Sequence, residues 1–529
     1  MKKRIKPLAV VAMAGVAVIA LAGCVGAQTA VPPTVAAVSD TVSTTNGDIR
    51  GAVDDGYRYF QGVPYAAPPT GERRWKAPEP AEAWTGVKDG TTVASRCIQA
   101  PFTLPGLDSG APESEDCLTL NISTPLNADE SSDYSVLFWI PGGGYLVGSG
   151  DSYGGKNFAT EGNIVVVTMN YRLGPLGWLS DPALDPEGGN VGNYGLQDQL
   201  AALSWVQDNI QQFGGDPKKV TVAGESMGSQ SVCNVLASPE ASGQYRSAMI
   251  LSGPCISYGG TTAEKSVEFS TSVGCDSTSA DYRACMEALP VDSLRAGISG
   301  PDLDAQPAPM TPEKLESAMR DVPVLIGFNS DEGRYFSNVR AESLSDEQEY
   351  RDQVTSNLDA GEYRGEVQEI LDAYPASAYD GNILNAYAAL QTEQQFICNT
   401  SYSSSQFSVN NPVYQYEFGD ENAPAPVGME QAIPLRAAHT LELPYLFNMV
   451  GYEPKSEDQQ ALSEFMISAW SQFINTGNPN QPESTDWPTL SDSNGARMHL
   501  TATEQSLVTD AVADRPGCSY WSEQNLGSR

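Results

Sequence analysis

The chain is poor in histidine and in positive charge. Its 529 residues include 2 histidines, and 30 lysines and arginines stand against 66 aspartates and glutamates, for a formal net charge of −36. Two histidines exclude a histidine-rich metal site, so no metal is expected. The negative charge argues against nucleic acid as a partner and against electrostatic binding to anionic membranes. The composition therefore predicts a soluble acidic protein.

The chain also lacks a hydrophobic run long enough for a typical membrane span. Its most apolar stretch, residues 8–21, is too short for one and follows a positively charged segment at residues 2–6. Positive residues followed by a short apolar run are typical of a secretory signal peptide. We therefore predict a signal peptide over residues 1–23 and export of the mature protein.

The end of this segment predicts a lipid anchor. Residues 21–24, Leu-Ala-Gly-Cys, resemble the signal box of bacterial lipoproteins, in which Cys24 becomes the lipidated first residue of a cell-envelope protein. The alternative is ordinary cleavage after Ala27, which would release a soluble secreted or periplasmic protein. Residues 24–38 are rich in Ala, Val, Thr and Pro and are predicted to form a flexible tether. Residues 39–529 show no internal repeat and are predicted to form one domain.

Export to an oxidising compartment predicts that the cysteines form disulfides. The chain has 9 cysteines, so eight remain if Cys24 is lipidated. Eight cysteines allow 105 pairings, and their spacing does not select one of them.

The distribution of apolar residues indicates an α/β fold with a largely parallel sheet. Residues 135–140, 163–169 and 322–328 are continuous apolar runs, as expected of parallel strands that are covered on both faces. Residues 195–213 have helical periodicity. Residues 340–435 are acidic and more helical, and we expect them to cap the carboxyl edge of the sheet.

A candidate nucleophile lies between a strand and a helix. Residues 220–223 resemble the end of a buried strand, residues 224–228 read Gly-Glu-Ser-Met-Gly, and residues 231–237 resemble a helix. A Gly-x-Ser-x-Gly sequence in this setting is typical of a nucleophile elbow, here centred on Ser226. Two glycines are needed because the turn is so sharp that neighbouring Cβ atoms would clash.

A serine hydroxyl at neutral pH needs a base to activate it and an acid to orient that base. His439 and His499 are the two candidates for the base, and His439 is favoured because His499 lies in an alternating segment typical of an edge strand. The acid is expected between the serine and the histidine, at Asp331 or Glu332, directly after a buried strand. Composition does not choose between these two carboxyl groups.

A glycine-rich segment is the candidate oxyanion hole. Residues 141–145 read Pro-Gly-Gly-Gly-Tyr and follow the predicted strand at 135–140. Successive glycines let backbone N–H groups approach a substrate closely, and such donors stabilise the oxyanion of a tetrahedral intermediate.

The chain resembles the type-B carboxylesterases, the family that includes cholinesterases and fungal lipases, over roughly residues 40–525. The resemblance implies an α/β-hydrolase fold, with a central, mostly parallel sheet, helices on both faces and helical cap insertions. It rests on these segments: 60–66 (Phe-Gln-Gly-Val-Pro-Tyr-Ala), 74–75 (Arg-Trp), 115–121 (Glu-Asp-Cys-Leu-Thr-Leu-Asn), 170–177 (Asn-Tyr-Arg-Leu-Gly-Pro-Leu-Gly) and 213–217 (Phe-Gly-Gly-Asp-Pro).

The same resemblance implies roles for seven residues. It implies that Ser226 is the nucleophile, Glu332 the acid and His439 the base, and that Glu225 contributes to the electrostatics of the active site. It also implies an oxyanion hole formed by the N–H groups of Gly143, Gly144 and Met227.

The resemblance further implies three disulfides. By this matching Cys97 pairs with Cys117, Cys255 pairs with Cys275, and Cys398 pairs with Cys518. Cys233 and Cys285 are left over, and we expect them to be unpaired and buried, with a bond between them as the alternative.

Three positions depart from the family pattern. Pro141 replaces the usual His or Tyr before the glycines, Met227 replaces a common Ala, and Ser229 replaces a common Gly. The backbone donors are retained, whereas the larger Met side chain is expected to change the shape of the pocket. No tryptophan lies between Cys97 and Cys117, which argues against choline esters as substrates.

These residues predict a serine hydrolase that cleaves carboxylic esters of small molecules through an acyl-enzyme, without a metal or an organic cofactor. The same site could serve an amidase, a carbamate hydrolase or a polyester hydrolase. A third alternative is a non-catalytic binding protein on the same fold, which the presence of all three reactive residues disfavours. The sequence does not specify the natural ester or the oligomeric state.

Overall fold

The computed structural model describes residues 40–184, 192–253, 255, 263–296, 321–359, 365–482, 486–493, 495–509, 512 and 516–525. The predicted signal peptide at residues 1–23, Cys24 and the predicted tether at residues 24–38 all lie outside these ranges, because residues 1–39 are not described. The candidate site residues at 141–145, 225–227, 331–332, 439 and 499 all lie within them.

Eleven of the described strands form one twisted sheet, and three short strands form a second sheet. The spatial order of the large sheet is β14-β13-β12-β11-β10-β9-β7-β8-β6-β4-β3, and that of the small one is β1-β2-β5. The strands are β1 Thr41–Ser43, β2 Asp48–Arg50, β3 Ala52–Asp54, β4 Tyr57–Pro64, β5 Val87–Asp89, β6 Thr119–Pro125, β7 Tyr134–Ile140, β8 Val165–Met169, β9 Gly215–Glu225, β10 Ser247–Leu251, β11 Val324–Asn329, β12 Val413–Phe418, β13 Arg497–Leu500 and β14 Gln505–Val508.

The centre of the large sheet is parallel and its edges are antiparallel. Every pairing from β8 through β7, β9, β10, β11 and β12 to β13 is parallel. The pairings of β14, β6, β4 and β3 with their neighbours are antiparallel. The prediction of a largely parallel sheet is therefore confirmed.

Helices cover both faces of this sheet. The described α-helices are α1 Lys156–Thr160, α2 Gly174–Trp178, α3 Tyr194–Asn209, α4 Met227–Ala237, α5 Ala263–Ser272, α6 Tyr282–Glu287, α7 Val291–Ala296, α8 Gly333–Val339, α9 Glu347–Asp359, α10 Val367–Ala373, α11 Ile383–Gln391, α12 Cys398–Phe407, α13 Leu443–Leu446, α14 Glu457–Thr476 and α15 Pro516–Asn525. A π-helical turn, Thr392–Ile397, joins α11 to α12.

The apolar runs seen in the sequence are buried because the sheet has helices on both sides. All five residues of β8 are buried, as are the last six of the seven in β7. Neighbouring residues of β7 point to opposite faces: Phe138 packs in the same core cluster as Val206 of α3, and Trp139 packs with Trp470 of α14. Two-sided burial removes the alternation of polar and apolar residues that a half-exposed strand would show.

Two expectations about secondary structure need correction. Residues 340–435 contain the helices α9–α12 but also β12, which is a fully buried inner strand of the sheet. Its Tyr, Val and Phe residues favour a strand, although the surrounding sequence is helical. The segment of His499 is not an edge strand, because β13 lies between β12 and β14.

The structure corrects one of the three disulfides. Cys97 is bonded to Cys117 and Cys398 to Cys518, as the resemblance implies. The Cys255–Cys275 pairing is wrong, because Cys255 is bonded to Cys233 and Cys275 to Cys285. The expectation that Cys233 and Cys285 are unpaired is wrong as well.

Helix packing explains the corrected pairing. Cys233 lies on α4, which packs beside β10, and Cys255 follows β10, so their Cα atoms are 5.5 Å apart. Cys275 and Cys285 are ten positions apart, and the chain between them turns back into α6, which brings their Cα atoms to 5.8 Å. Both separations suit a disulfide. Four disulfides are typical of a protein of an oxidising, extracellular-type compartment.

None of the described helices has the length and apolar character needed to cross a lipid bilayer.

Candidate active site

The candidate residues lie at one edge of the sheet. Because β7, β9 and β11 are parallel, their carboxyl ends meet at the same edge. The glycine-rich loop follows β7, Ser226 follows β9 directly, and Glu332 lies three residues after the end of β11. Ligand sites in open α/β sheets are found at such an edge.

Ser226 occupies the turn between β9 and α4 in a strained backbone conformation. Its φ is 57° and its ψ is −127°, values that side chains with a Cβ rarely adopt. Its N–H donates to the carbonyl of Leu251 at 3.0 Å, which ties the turn to β10. A Cβ on Gly228 would lie 2.1 Å from the carbonyl oxygen of Ile140, so the turn requires glycine there, as predicted.

Helix α4 begins at Met227, four residues earlier than the sequence pattern predicts. The amides of Ser229 and Gln230 donate to the carbonyl of Ser226 at 3.0 and 3.2 Å, so helical hydrogen bonding starts directly at the serine. The amino terminus of α4, with its positive dipole end, therefore lies beside the Ser226 hydroxyl.

His439 lies in the loop between β12 and α13, with 2% of its surface exposed. Its Nε2 atom is 2.8 Å from Oγ of Ser226, although the two residues are separated by 213 positions in the sequence. Its Nδ1 atom is 2.6 Å from Oε2 of Glu332. The structure thus brings Ser226, His439 and Glu332 into one line of hydrogen bonds.

The Glu332 carboxylate fixes the tautomer of the imidazole. An ionised carboxylate only accepts hydrogen bonds, so Nδ1 of His439 carries the proton and donates it. In the neutral form of the imidazole, Nε2 is then the acceptor that faces the Ser226 hydroxyl. The other oxygen of Glu332, Oε1, accepts the N–H of Asn329 at 2.8 Å, and the side chain is fully buried.

The structure separates the two candidates for the acid, Asp331 and Glu332, and the two candidates for the base, His439 and His499. Asp331 forms ion pairs with Arg334 at 2.9 Å and with Arg436 at 3.6 Å. His499 lies in β13, where the register of the sheet places it opposite Glu417 of β12. Hydrogen bonds link Glu332 and His439 to Ser226, and none links Asp331 or His499 to it within the described residues.

Two further carboxyl groups lie next to the histidine. Oε1 of Glu225, a fully buried side chain, is 3.3 Å from Nε2 of His439. Glu442, also fully buried, accepts a hydrogen bond from Nδ2 of Asn329 at 2.5 Å. Glu225 was expected here, whereas sequence reasoning missed Glu442 and Asn329. Glu442 lies three positions after His439 in the sequence, and this short spacing is the signal that could have indicated it.

These carboxyl groups control the protonation of His439. Burial disfavours the charged imidazolium, but Glu225, Glu332 and Glu442 outweigh that effect and raise the pKa of His439 to about 9. Burial also raises the pKa of Glu225 well above its usual range, with the imidazole opposing the rise. Burial and Glu332 raise the pKa of Glu442 to about 7, against the hydrogen bond from Asn329.

Aromatic side chains enclose the imidazole ring. The ring centroid of Phe396, in the π-helical turn, is 4.8 Å from that of His439, and the centroid of Phe336 in α8 is 5.0 Å away. Tyr335 lies at 6.3 Å. Aromatic packing excludes water from the ring, which strengthens the electrostatic interactions of the site.

The glycine-rich loop lies directly against the serine. A Cβ on Gly142 would lie 3.1 Å from Cβ of Ser226 and 2.6 Å from the carbonyl oxygen of Glu225, so only glycine allows this approach. Gly143 and Gly144 follow with φ values of 111° and 68°. The carbonyl of Pro141 accepts a hydrogen bond from Tyr171 at 2.9 Å, which anchors the start of the loop.

Comparison with known proteins agrees with this geometry. The sequence model of the carboxylesterase family matches residues 38–521. Para-nitrobenzyl esterase of Bacillus subtilis is 33% identical over 472 residues, which are 84% of this chain and 92% of that protein. Fumonisin B1 esterase of Sphingopyxis macrogoltabida is 34% identical over 84% of this chain and 83% of its own length.

A mammalian relative has a similar level of identity. Cocaine esterase of Oryctolagus cuniculus is 32% identical over 84% of this chain and 89% of that protein. A family match over nearly the whole chain and several esterase relatives agree with the α/β-hydrolase fold described above. The chain belongs to the carboxylesterase family and is a carboxylic ester hydrolase.

Proposed function

We propose that the protein hydrolyses small-molecule carboxylic esters through an acyl-enzyme on Ser226, with His439 as the general base and acid and Glu332 as the residue that orients it. The observation that carries this proposal is the line of two hydrogen bonds, 2.8 Å from Oγ to Nε2 and 2.6 Å from Nδ1 to Oε2. Such an arrangement activates a serine hydroxyl and fixes the tautomer of the base.

In the first half of the reaction, Nε2 of His439 takes the hydroxyl proton while Oγ of Ser226 bonds to the ester carbonyl carbon. The resulting tetrahedral oxyanion is stabilised by the N–H groups of Gly143, Gly144 and Met227. His439 then gives its proton to the leaving alkoxide, the carbon–oxygen bond breaks, and the alcohol departs. Glu332 stabilises the imidazolium throughout.

In the second half, His439 takes a proton from a water molecule, and the resulting hydroxide bonds to the acyl carbon. Collapse of this second tetrahedral intermediate breaks the bond to Oγ. His439 returns the proton to Oγ of Ser226, and the carboxylic acid is released. The position of Gly142 directly against Ser226 supports the oxyanion assignment, because Gly143 and Gly144 are the next two residues of the same loop.

Trapping of the acyl group tests the proposal. Turnover is measured with p-nitrophenyl esters from acetate to palmitate, and the hindered p-nitrophenyl pivalate is used to slow deacylation. We expect a burst of one p-nitrophenolate per enzyme and one pivaloyl group on the peptide that contains Ser226, detected by mass spectrometry. Ester turnover with the acyl group on another residue, or with none, would contradict the acyl-enzyme at Ser226.

Activity on other acyl compounds separates the alternative functions. Amides, carbamates and polyester films are offered to the same preparation. The para-nitrobenzyl, fumonisin B1 and cocaine esterases among the relatives are named for esters, which supports esters as the preferred class. An amide, carbamate or polyester cleaved much faster than every ester would reassign the substrate class while leaving the reactive residues unchanged.

We further propose that the protein is exported and anchored to a cell-envelope membrane through lipid on Cys24, which lies outside the described residues. The short apolar run at 8–21 and the Leu-Ala-Gly-Cys box support this proposal. In a bacterial host, we expect the full chain to fractionate with membranes and to incorporate labelled palmitate, and Cys24→Ser to abolish both. A soluble wild-type protein that begins after Ala27 would contradict the lipid anchor.

A further inference from the structure

Asn329, the last residue of β11, joins the two parts of the chain that supply the acid and the base. It is fully buried, and its backbone N–H donates to Oε1 of Glu332 at 2.8 Å. Its side-chain Nδ2 donates to Oε2 of Glu442 at 2.5 Å and to the carbonyl of Ala438 at 2.8 Å. Its Oδ1 accepts from the hydroxyl of Ser252 at 3.5 Å.

We propose that Asn329 is a positioning residue that holds Glu332 and the loop at 438–442 as one unit, so that the imidazole of His439 stays aligned between Ser226 and Glu332. This inference rests on the proposed function of these residues. The hydrogen bonds of Asn329 within the described residues go to Glu332, Glu442, Ala438 and Ser252 and not to Ser226, so it acts through the residues that it holds.

The pattern of contacts explains why one asparagine is needed. The side-chain amide of Asn329 donates to the carbonyl of Ala438, just before His439, and to the carboxylate of Glu442, three residues after it. These two hydrogen bonds fix the loop on both sides of the imidazole. Two backbone hydrogen bonds also join these segments, from the N–H of His439 to the carbonyl of Glu332 at 3.3 Å and from the N–H of Asp331 to the carbonyl of Ala437 at 3.0 Å, but neither reaches the part of the loop that follows His439. Without the asparagine amide, two buried acceptors would lose their donor, and buried unsatisfied groups are costly.

The contact with Glu442 links this position to the pH dependence of the reaction. The hydrogen bond from Asn329 lowers the pKa of Glu442, opposing burial and the Glu332 charge. Loss of that bond raises the pKa of Glu442, so the carboxyl group takes up a proton and His439 loses a neighbouring negative charge. The pKa of His439 then falls, and the pH range in which it acts as a base extends downward.

The other titratable groups around His439 do not produce this effect. Glu225 and Glu332 contact the imidazole directly and Asp331 pairs with Arg334 and Arg436, and the side-chain hydrogen bonds of Asn329 go to Glu442, Ala438 and Ser252 rather than to these three carboxyl groups. Four nearby tyrosines have pKa values raised by burial and stay neutral over the range of interest: Tyr153, Tyr335, Tyr416 and Tyr452.

The main test uses Asn329→Leu, which is close in size and keeps the backbone N–H to Glu332. The kcat and KM for p-nitrophenyl acetate are measured from pH 5 to 10. We expect kcat to fall about 10-fold or more with KM nearly unchanged, because a misaligned imidazole slows the chemical steps. We also expect the acidic limb of kcat/KM to lie at lower pH than in the wild type.

Asn329→Asp is the conservative variant. The new carboxyl group lies against Glu442, and two adjacent carboxyl groups share one proton. The pair therefore keeps one hydrogen bond and one negative charge. We expect its acidic limb to stay near that of the wild type, with a kcat between those of the wild type and Asn329→Leu.

Asn411→Asp is the matched structural control. Asn411 is a buried asparagine whose side chain bonds the carbonyl of Phe407 at 2.9 Å and the N–H of Val322 at 2.8 Å, at the opposite end of β11. We expect it to lower the Tm without moving the acidic limb. If Asn329→Leu behaves in the same way, with no shift of the limb beyond this control, the positioning role is wrong.

A measurement without substrate separates this inference from the proposed function. The ring nitrogens of the 2 histidines are followed by NMR as a function of pH, with His439→Gln assigning the two sets of signals. A fall in the pKa of His439 in Asn329→Leu supports the inference even if no ester is hydrolysed. Normal wild-type turnover with an unchanged His439 titration in Asn329→Leu would overturn it and leave the proposed function intact.

Discussion

Ser226→Ala is expected to lower kcat for p-nitrophenyl esters by on the order of 10⁴-fold or more, which is the largest effect that a single side chain can have here. The substitution removes Oγ, the atom 2.8 Å from Nε2 of His439, and leaves that base without a nucleophile to activate. Substrate binding does not require the hydroxyl, so KM is expected to change little. The backbone keeps its shape, because alanine retains the Cβ of serine at this strained position.

The matched control is Ser231→Ala on the same helix. The Ser231 hydroxyl is buried and bonds Gln199 at 3.0 Å and Tyr145 at 3.2 Å. Its loss is expected to cost about 1 kcal/mol of stability and to leave kcat within a few-fold of the wild type. Ester hydrolysis that survives in Ser226→Ala would show that another group carries the reaction.

Glu332→Gln is expected to lower kcat by about 10³- to 10⁴-fold with little change in size. Oε1 of Glu332 accepts the N–H of Asn329 at 2.8 Å, so the glutamine carbonyl must face that donor. The amide NH₂ group then faces Nδ1 of His439, which has to become an acceptor. The ring proton moves to Nε2, and a protonated Nε2 cannot take the proton of the Ser226 hydroxyl.

Asp331→Asn is the control for this change, because it neutralises the adjacent carboxyl group. Asp331 pairs with Arg334 and Arg436 and makes no contact with the imidazole among its described interactions. Its kcat is expected to remain within a few-fold of the wild type. Equal losses of kcat in the two variants would mean that general destabilisation, rather than the tautomer of His439, explains the effect. Circular dichroism melting curves of both variants would measure that destabilisation.

Local sequence was sufficient for the parts of the site that are built by neighbouring residues. A strand, a tight turn and a helix are encoded within residues 220–237, so the elbow at Ser226 followed from the pattern. The buried parallel strands followed from continuous apolar runs, because burial on both faces removes the alternation. The start of α4 was predicted at residue 231, whereas the helix begins at Met227, because its first turn depends on hydrogen bonds to the Ser226 carbonyl.

Family resemblance was needed where local pattern gave two answers. Asp331 and Glu332 are adjacent and chemically alike, and both follow β11. Which of them reaches His439 depends on the course of the chain after the strand, where Glu332 turns inward and Asp331 faces two arginines. The two histidines are likewise separated by the fold, because His439 lies in the loop between β12 and α13 and His499 lies in β13.

The disulfides show the limit of matching by sequence. Eight cysteines at these spacings allow many pairings, and a bond requires Cα atoms within about 7 Å of each other. Cys255 pairs with Cys233 because α4 packs beside β10, and this depends on how the helix lies on the sheet.

The sequence by itself determined the α/β class, the elbow with Ser226 and a choice of two histidines, because each depends on residues that are close together in the chain. Only the tertiary structure decided how Asn329 joins Ala438 and Glu442, which lie 109 and 113 positions further along. Such contacts leave no periodic signal, since they depend on where two distant loops meet at the edge of the sheet. The protonation of His439 is decided there too, because it reflects the summed charge of carboxyl groups brought together by folding.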